Sequence, residues 1–251
     1  DRYGQVVPIQ TVTLCGGEVG LLPWFTDLVN VLVDRGIFVQ MITNGTIDFL
    51  DRIANPNSVN CIVSVDGLPE YHDTNRGPGM WEKSMGFLKK AIRLGFHTEI
   101  FSIVTRQNIG DIDTFEQMVE TTLGRMIPVT YHPRKPREYL SRHPVSNMLG
   151  VVDGFDFLHP DELTQIMKSR KTFPPKDLGC FQVALMSDGL VYGCCEGTVP
   201  IGKMFDSPEM LVKALRSRLE QWEKVSARPS CLGCSQPDFV CGLPGYTKKD
   251  L

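Results

Sequence analysis

The sequence predicts an α/β fold with a parallel sheet or barrel, followed by a small cysteine-rich appendage. Over residues 11–132 short apolar strands alternate with amphipathic helices, and six of the eight cysteines lie after residue 179. Strands that alternate with helices indicate parallel pairing with right-handed crossovers. With 251 residues and 42% hydrophobic composition, the chain is long enough for one large domain and such an appendage. We expect these domains at residues 1–175 and 176–251.

The elements of the first domain follow from hydrophobic spacing. Strands are predicted at Thr11–Leu14, Phe38–Thr43, Val59–Val65, His97–Val104 and Met126–Tyr131. Helices are predicted at Leu21–Arg35, Ile47–Ala54, Trp81–Leu94 and Ile112–Leu123. The third strand is nearly all apolar, which is typical of a parallel strand covered on both faces. Because five strands are too few for a closed barrel, we expect a further strand-helix unit before Asp1.

The pattern changes in the last third of the chain. A proline-rich and basic connection runs from Pro133 to Pro175. Two short strands, Phe181–Met186 and Leu190–Tyr192, flank Ser187-Asp188-Gly189, which is a hairpin turn signal. A helix is predicted at Pro208–Glu223.

Charge and hydropathy exclude some classes of function. A net charge of -3 gives no electrostatic argument for binding nucleic acid or a membrane surface. No apolar run is long enough for a membrane span, and the first ten residues lack the features of a signal peptide. We therefore expect a cytoplasmic protein, in which clustered cysteines favour metal binding over disulfides.

Four of the late cysteines have the spacing of a metal centre. Cys180 and Cys194 flank the predicted hairpin, and Cys231-x-x-Cys234 presents two further sulfurs. The spacing alone fits a structural zinc or an iron-sulfur cluster equally well. Cys195 and Cys241 are spare ligands or bystanders, since adjacent residues of a strand point in opposite directions and only one of Cys194 and Cys195 should face the centre.

Polar and glycine residues follow three of the predicted strands. Gly16-Gly17-Glu18 follows the first strand, Thr43-Asn44-Gly45 ends the second, and Ser64-Val65-Asp66-Gly67 ends the third. The carboxyl ends of parallel strands meet at one edge, where ligands bind in α/β folds. Two glycines let a ligand approach the main chain, and a carboxylate suits a cation. Cys15, alone at the end of the first strand, is predicted to be a small buried apolar residue.

In their joint order these motifs resemble the radical S-adenosylmethionine enzymes, over about Thr11 to Cys241. The segments that carry the resemblance are Val12–Glu18, Ile42–Gly45, Val63–Gly67, Glu70-x-His72-Asp73-x-x-Arg76-Gly77 and Ile103–Asn108. Gly179-Cys180, Ser187-Asp188-Gly189 and Cys231-x-x-Cys234 resemble the auxiliary iron-sulfur domain of that superfamily, of the SPASM or twitch type. The resemblance implies a partial (β/α)6 TIM-like barrel that lacks its first β/α unit.

The resemblance also implies how S-adenosylmethionine is held across the top of the barrel. Gly16, Gly17 and Glu18 match the turn that holds the methionyl amine, Ser64 matches a ribose contact, and Thr43 and Asn44 line the same rim. Asp66 either contacts the ligand or only makes a turn, and Asn108 either contacts the ligand or belongs to a helix N-cap region. His72, Asp73 and Arg76 are expected to organise the start of a helix.

The chemistry implied by the resemblance is radical hydrogen abstraction. A reduced four-iron cluster cleaves S-adenosylmethionine, and the 5′-deoxyadenosyl radical attacks a peptide, protein or small-molecule substrate. A flavodoxin or ferredoxin would supply electrons, and an auxiliary 4Fe-4S cluster would lie on Cys180, Cys194, Cys231 and Cys234.

Two departures from the family pattern are visible. Val19 stands where the family has proline, and the Cys-x-x-x-Cys-x-x-Cys loop that holds the catalytic cluster is not in these residues. We expect that loop before Asp1, and without it the chain is expected to be inactive. Two alternatives are a degenerate, non-catalytic binding protein of this fold and a zinc-stapled α/β protein of unrelated function.

Overall fold

The computed structural model describes residues 2–133, 183–193 and 200–224, which belong to two compact units. The first unit contains Ile9–His132. The described parts of the second are residues 2–8, 183–193 and 200–224. The domain boundary that we expect near residue 175 lies outside the described residues and stays a prediction.

The first unit is built on a five-stranded sheet with the order β1-β2-β3-β4-β5. The strands are β1 Thr11–Leu14, β2 Phe38–Thr43, β3 Val59–Ser64, β4 His97–Val104 and β5 Val129–Pro133. The pairs β1-β2, β2-β3 and β3-β4 are parallel, and their register places Thr13 beside Gln40 and Met41 beside Cys61. The predicted parallel α/β fold is thereby confirmed.

Four helices connect the strands of this sheet. They are α1 Phe25–Asp34, α2 Pro69–Arg76, α3 Met80–Leu94 and α4 Ile112–Leu123. Short 3-10 turns lie at Tyr3–Gln5, Val19–Leu21, Leu50–Arg52, Pro56–Ser58 and Ile109–Asp111. None of the described helices has the length and apolar character that a membrane crossing requires.

The hydrophobic core lies between the helices and one face of the sheet. Alternate strand residues point to this face because side chains alternate across a strand. The buried strand residues of the core are Val39, Met41, Val59, Cys61, Val63 and Ile100. The buried helix residues packed with them are Phe25, Val29, Trp81, Met85, Phe87, Leu88, Ala91, Phe115 and Val119. The other face of the sheet therefore points away from these helices.

Four elements differ from the sequence prediction. Helix α1 begins at Phe25, because Pro23 restricts Leu22 to extended backbone, with φ -81 and ψ 119. The predicted helix Ile47–Ala54 contains only a single 3-10 turn. Helix α2 was not predicted, although Pro69 at its first position is a known helix-start signal. Strand β5 begins three residues late, directly after Pro128.

The described part of the second unit contains a three-stranded antiparallel sheet and a helix. The elements are β6 Ala184–Leu185, β7 Leu190–Tyr192, β8 Pro200–Lys203 and α5 Pro208–Lys224. Ala184 pairs with Tyr192, and the carboxylate of Asp188 accepts a hydrogen bond from the Leu190 N–H at 2.9 Å. The predicted hairpin and helix are confirmed, whereas β8 was not predicted. Cys180, Cys194, Cys195, Cys231, Cys234 and Cys241 lie outside the described residues.

Candidate functional site

Glu18 joins the carboxyl ends of β1 and β2. Its Oε1 accepts hydrogen bonds from the Gly20 N–H at 3.0 Å and from the Thr43 hydroxyl at 2.7 Å. Its Oε2 accepts from the Asn44 N–H at 2.8 Å, and Thr43 Oγ1 accepts in turn from the Gly45 N–H. A carboxylate offers about four acceptor positions, so the protein fills three of them and leaves about one.

Gly16 and Gly17 form an exposed turn between β1 and Glu18. Gly16 has φ +144, and a Cβ added to either glycine would meet no atom within 4 Å. The space beside their main chain is therefore open, and a ligand could reach the peptide groups of this turn. Ligand binding by these glycines stays a prediction.

The two isolated cysteines lie in opposite environments. Cys15 is exposed, and the expectation that it is buried was wrong, since β1 is the first strand of the sheet and has a neighbour on one side only. Cys61 is buried in the core, and burial raises the pKa of its thiol. A neutral core thiol of this kind is poorly suited to ligating a metal.

The loop after β2 is tied to helix α3. The side-chain oxygen of Asn44 accepts hydrogen bonds from the Thr46 N–H at 2.8 Å and from the Thr46 hydroxyl at 2.6 Å. The main-chain oxygen of Asn44 accepts from the Ser84 hydroxyl at 2.7 Å. Thr43 and Asn44 thus lie at the same strand edge as Glu18, as predicted, and much of their hydrogen-bonding capacity serves the fold.

Ser64 ends β3 and is half-buried. Its backbone pairs in register with Phe101 of β4. Among the residues that the structure describes, its hydroxyl has no hydrogen-bond partner. The hydroxyl of Ser64 therefore remains available to a ligand.

Asp66 is fully buried and has an internal role. Its Oδ2 accepts from Asn75 Nδ2 at 2.6 Å and from Arg76 Nε at 2.5 Å. Its Oδ1 accepts from Arg76 Nη2 and from the Ile103 N–H, both at 3.1 Å. All four acceptor positions are filled within the protein, and contact of Asp66 with a ligand stays a prediction. The carboxylate joins α2 to the ends of β3 and β4.

Asn108 is also buried and bonded internally. Its Oδ1 accepts from the Thr105 N–H at 2.8 Å, and its Nδ2 donates to the main-chain oxygens of Asp66 at 3.2 Å and Ile103 at 2.8 Å. It precedes a 3-10 turn without capping it through its side chain. Asn108 therefore closes the loop after β4 and occupies the N-cap position of that turn, as one of the two predicted roles has it, while its contact with a ligand stays a prediction.

His72, Asp73 and Arg76 organise the region around α2, as predicted. His72 is buried, its Nδ1 accepts from the Asp66 N–H at 3.0 Å, and its ring packs edge-to-face on Trp81. Burial lowers the pKa of His72 to about 4. Asp73 accepts from the Gly79 N–H at 2.7 Å and the Trp81 N–H at 2.8 Å, and the Trp81 bond is the main cause that lowers the pKa of Asp73.

The sequence analysis missed a row of polar side chains on the sheet face opposite the helices. Its members, one from each strand of the first unit, are Thr13, Gln40, Asn60, Glu99 and Thr130. The available signal was the alternation of polar with apolar residues in β1, together with a single polar residue inside the apolar run of residues 38–42 in β2. In the described part of the chain, no group of three or more His, Cys, Asp or Glu side chains has the arrangement of a metal site.

Comparison with known proteins relates most of the first unit to a described family. Residues 1–119 match the family model described as the Radical SAM superfamily. This part of the chain, which contains strands β1 to β4, is similar to that superfamily. The five-stranded α/β sheet is consistent with a partial barrel of the same superfamily. No curated protein matches the chain.

Solved structures share the fold of this chain. Streptococcus suis SuiB bound to the precursor peptide SuiA matches with TM-score 0.58 at 14% identity, covering 98% of this chain and 62% of SuiB. Native anSMEcpe with bound AdoMet matches with TM-score 0.58 at 15% identity, covering 86% of this chain and 70% of that protein. The chain spans about half the length of the first solved structures that it matches, 51% and 52%. At these identities the likeness concerns the fold.

The buried network of Asp66 yields a stability prediction. Asp66→Asn replaces one acceptor oxygen by an NH2 group, which opposes either the donors of Asn75 and Arg76 Nε or those of Arg76 Nη2 and Ile103. Arg76 is 28% exposed, so its stranded charge is partly solvated, and we expect a loss of about 2–4 kcal/mol in the free energy of unfolding. Urea denaturation measures this change in the free energy of unfolding. Asp51→Asn is the control, because Asp51 is exposed and pairs with Lys90 at the surface, and it should leave stability unchanged. Equal effects of the two variants would contradict this role.

The environment of His72 yields a pH prediction. Since the folded pKa is about 4 and the unfolded pKa is about 6.5, the unfolded chain binds the proton more readily between these values. This contribution to stability is present above pH 6.5 and is lost as the pH falls towards 4. Between pH 7 and pH 5 the contribution of His72 to the free energy of unfolding should fall by about 2 kcal/mol. Denaturation of wild type and His72→Gln should show a shallower pH dependence in the variant. His97→Gln, at an exposed histidine, should retain the wild-type slope, and a retained slope in His72→Gln would contradict the assignment.

Proposed function

We propose that the protein containing this chain is a radical SAM enzyme that binds S-adenosylmethionine at the carboxyl ends of β1, β2 and β3. The observation that carries the proposal is the open Gly16-Gly17 turn. The adjacent Glu18 connects this turn to β2 through hydrogen bonds with Thr43 and Asn44. The turn occurs at the strand edge where α/β folds bind ligands, within the part of the chain that matches the Radical SAM superfamily.

The residues at this edge suit the polar groups of S-adenosylmethionine. An ammonium has three N–H donors, and the turn offers exposed main-chain oxygens together with the remaining acceptor position of Glu18. The partnerless hydroxyl of Ser64 suits a ribose hydroxyl as donor or acceptor. Asp66 and Asn108 stabilise this edge from within the protein, because their hydrogen bonds fix the ends of β3 and β4.

The chemistry comes from cofactors, and the chain supplies binding and orientation. S-adenosylmethionine bound with a reduced 4Fe-4S cluster supplies a 5′-deoxyadenosyl radical for hydrogen abstraction. Because the chain spans about half of the first solved structures it matches, this activity is proposed for the protein as a whole. Cofactor binding at the carboxyl ends of β1, β2 and β3, which we call the cofactor edge, is proposed for the residues described here.

A peptide is the substrate that we propose, with a flavodoxin or ferredoxin as electron donor. Two of the structures with this fold were solved with a peptide: SuiB bound to the precursor peptide SuiA, and anSMEcpe with bound AdoMet and the Cp18Cys peptide. The likeness of the fold makes a peptide the first substrate class to test.

We also propose that the second unit holds an auxiliary 4Fe-4S cluster on Cys180, Cys194, Cys231 and Cys234. The confirmed hairpin β6-β7 lies between Cys180 and Cys194 in sequence, and a hairpin brings its two ends together. Two sulfurs from the hairpin ends and two from the Cys-x-x-Cys turn complete the usual four-thiolate set.

Replacement of Glu18 tests the cofactor edge. Glu18→Ala removes the acceptor of three hydrogen bonds and releases the glycine turn from the end of β2. We expect the affinity for S-adenosylmethionine to fall at least about tenfold, or about 1.4 kcal/mol, in isothermal titration calorimetry. Glu120→Ala, at an exposed position of α4, is the matched control and should bind like wild type. No binding by the wild type, or equal binding by Glu18→Ala, would overturn the proposal.

Metal analysis tests the auxiliary cluster. After anaerobic reconstitution, we expect about four irons and four sulfides per chain from this site. Cys180→Ala and Cys234→Ala should each lose most of this iron. Cys15→Ser, at the exposed cysteine after β1, should retain it. Zinc without iron in the wild type would instead support a zinc-stapled protein.

A further inference from the structure

A continuous row of polar side chains crosses the sheet face opposite the helices. The polar row consists of Thr13, Gln40, Asn60, Glu99 and Thr130. The Thr13 hydroxyl donates to Gln40 Oε1 at 2.9 Å, Asn60 Nδ2 donates to Glu99 Oε2 at 3.4 Å, and the Thr130 hydroxyl donates to Glu99 Oε1. Gln40 and Asn60 are register partners, so the two bonded groups are neighbours on one face.

The polar row lies on the face of the sheet that does not contribute to the hydrophobic core. Residues adjacent to its members in sequence, such as Val39, Met41 and Ile100, are buried against the helices. Four of its members remain accessible, since Thr13 is exposed and Gln40, Glu99 and Thr130 are half-buried, whereas Asn60 is buried. A polar row with this accessibility indicates a face that meets a polar ligand, because a parallel sheet covered by packed elements is apolar on both faces.

Glu99 brings an uncompensated negative charge to this face. The ion pairs in the described part of the chain join Arg76 to Asp66 and Lys90 to Asp48 and Asp51, and none involves Glu99. Its two hydrogen bonds leave about two of four acceptor positions open. A half-buried carboxylate without a cation is complementary to a positively charged, hydrogen-bond-donating group.

Apolar side chains lie beside Glu99 on this face. Ile42 is level with Glu99, because both are register partners of Ile62. Phe101 follows Glu99 by two residues on β4. Ile42 and Phe101 are half-buried. Gln40 and Thr43 are three residues apart on β2, which corresponds to roughly 10 Å along a strand. A lysine or arginine side chain has the matching character, with an apolar stem and a cationic head.

We propose that the polar row binds the basic side chain of a peptide substrate, with the ammonium or guanidinium on Glu99 and the stem along Ile42 and Phe101. The proposal deepens the proposed function and rests on it for the peptide, while the cation site itself stands on the geometry of the row. Glu99 acts here as a specificity residue.

Side-chain amide resonances of Gln40 and Asn60 report directly on this site. We would titrate the full chain with n-butylguanidinium, n-butylammonium and the neutral n-pentanol, and follow these resonances by NMR. Both cations should shift them saturably, whereas the alcohol should not. Glu99→Gln should weaken cation binding at least tenfold, and Glu82→Gln, an exposed acid on α3, should bind like wild type.

The outcomes separate this site from the proposed function. Equal shifts with cation and alcohol, no saturable shift, or unchanged cation binding by Glu99→Gln would overturn the proposal. Binding of S-adenosylmethionine is measured on the same samples, and Glu99→Gln should retain it because Glu99 is not among the residues of the cofactor edge. Cation binding without S-adenosylmethionine binding would overturn the proposed function and leave the cation site standing.

Discussion

The first unit depends on the constraint that a buried carboxylate must have all of its hydrogen bonds satisfied. Asp66 meets it with four donors from Asn75, Arg76 and Ile103. These donors come from α2 and from β4, so one side chain fixes a helix against two strand ends. In the low dielectric of the interior such a network is strong when complete and costly when any member is missing. The positions of the ends of β3 and β4 therefore follow from the hydrogen-bonding needs of a buried residue.

The same criterion separates groups that hold the fold from groups that remain available. Asp66 is buried with all four positions filled, Asn108 is buried with three of about four filled, and Glu18 is half-buried with three of about four filled. The main chain of Gly16 and Gly17, the hydroxyl of Ser64 and two positions of Glu99 remain open. Polar residue type alone made these groups look alike, whereas burial and the count of filled positions together separate groups that serve the fold from groups that remain available.

Local patterns predicted most of the sheet, and long-range contacts explain the rest. Strands β2 and β4 have their predicted bounds, because their hydrophobic spacing and flanking turns are local signals. The role of Asp66 was not predictable in this way, since its partner Ile103 lies 37 residues further along the chain. Asn108 depends on the same distant contact, 42 residues back to Asp66. Pro23 was a local signal against a helix from Leu21, and the apolar spacing across it was misleading. The polar row required both the alternation within single strands and the register that aligns five of them.

Both candidate sites lie on the same strands, and this fixes the distance between them. Thr43 and Gln40 belong to β2, and Ser64 and Asn60 belong to β3, so regular backbone sets the separation between cofactor edge and polar row. Sites built on strands hold their geometry more precisely than sites built on loops. Hydrogen abstraction demands such precision, because the reacting atoms must meet at close to contact distance. A substrate anchored at Glu99 would therefore present to the cofactor a group at a fixed distance from its basic side chain. Under the proposed function, the length of β2 and β3 between the two sites would select which atom of the substrate reacts.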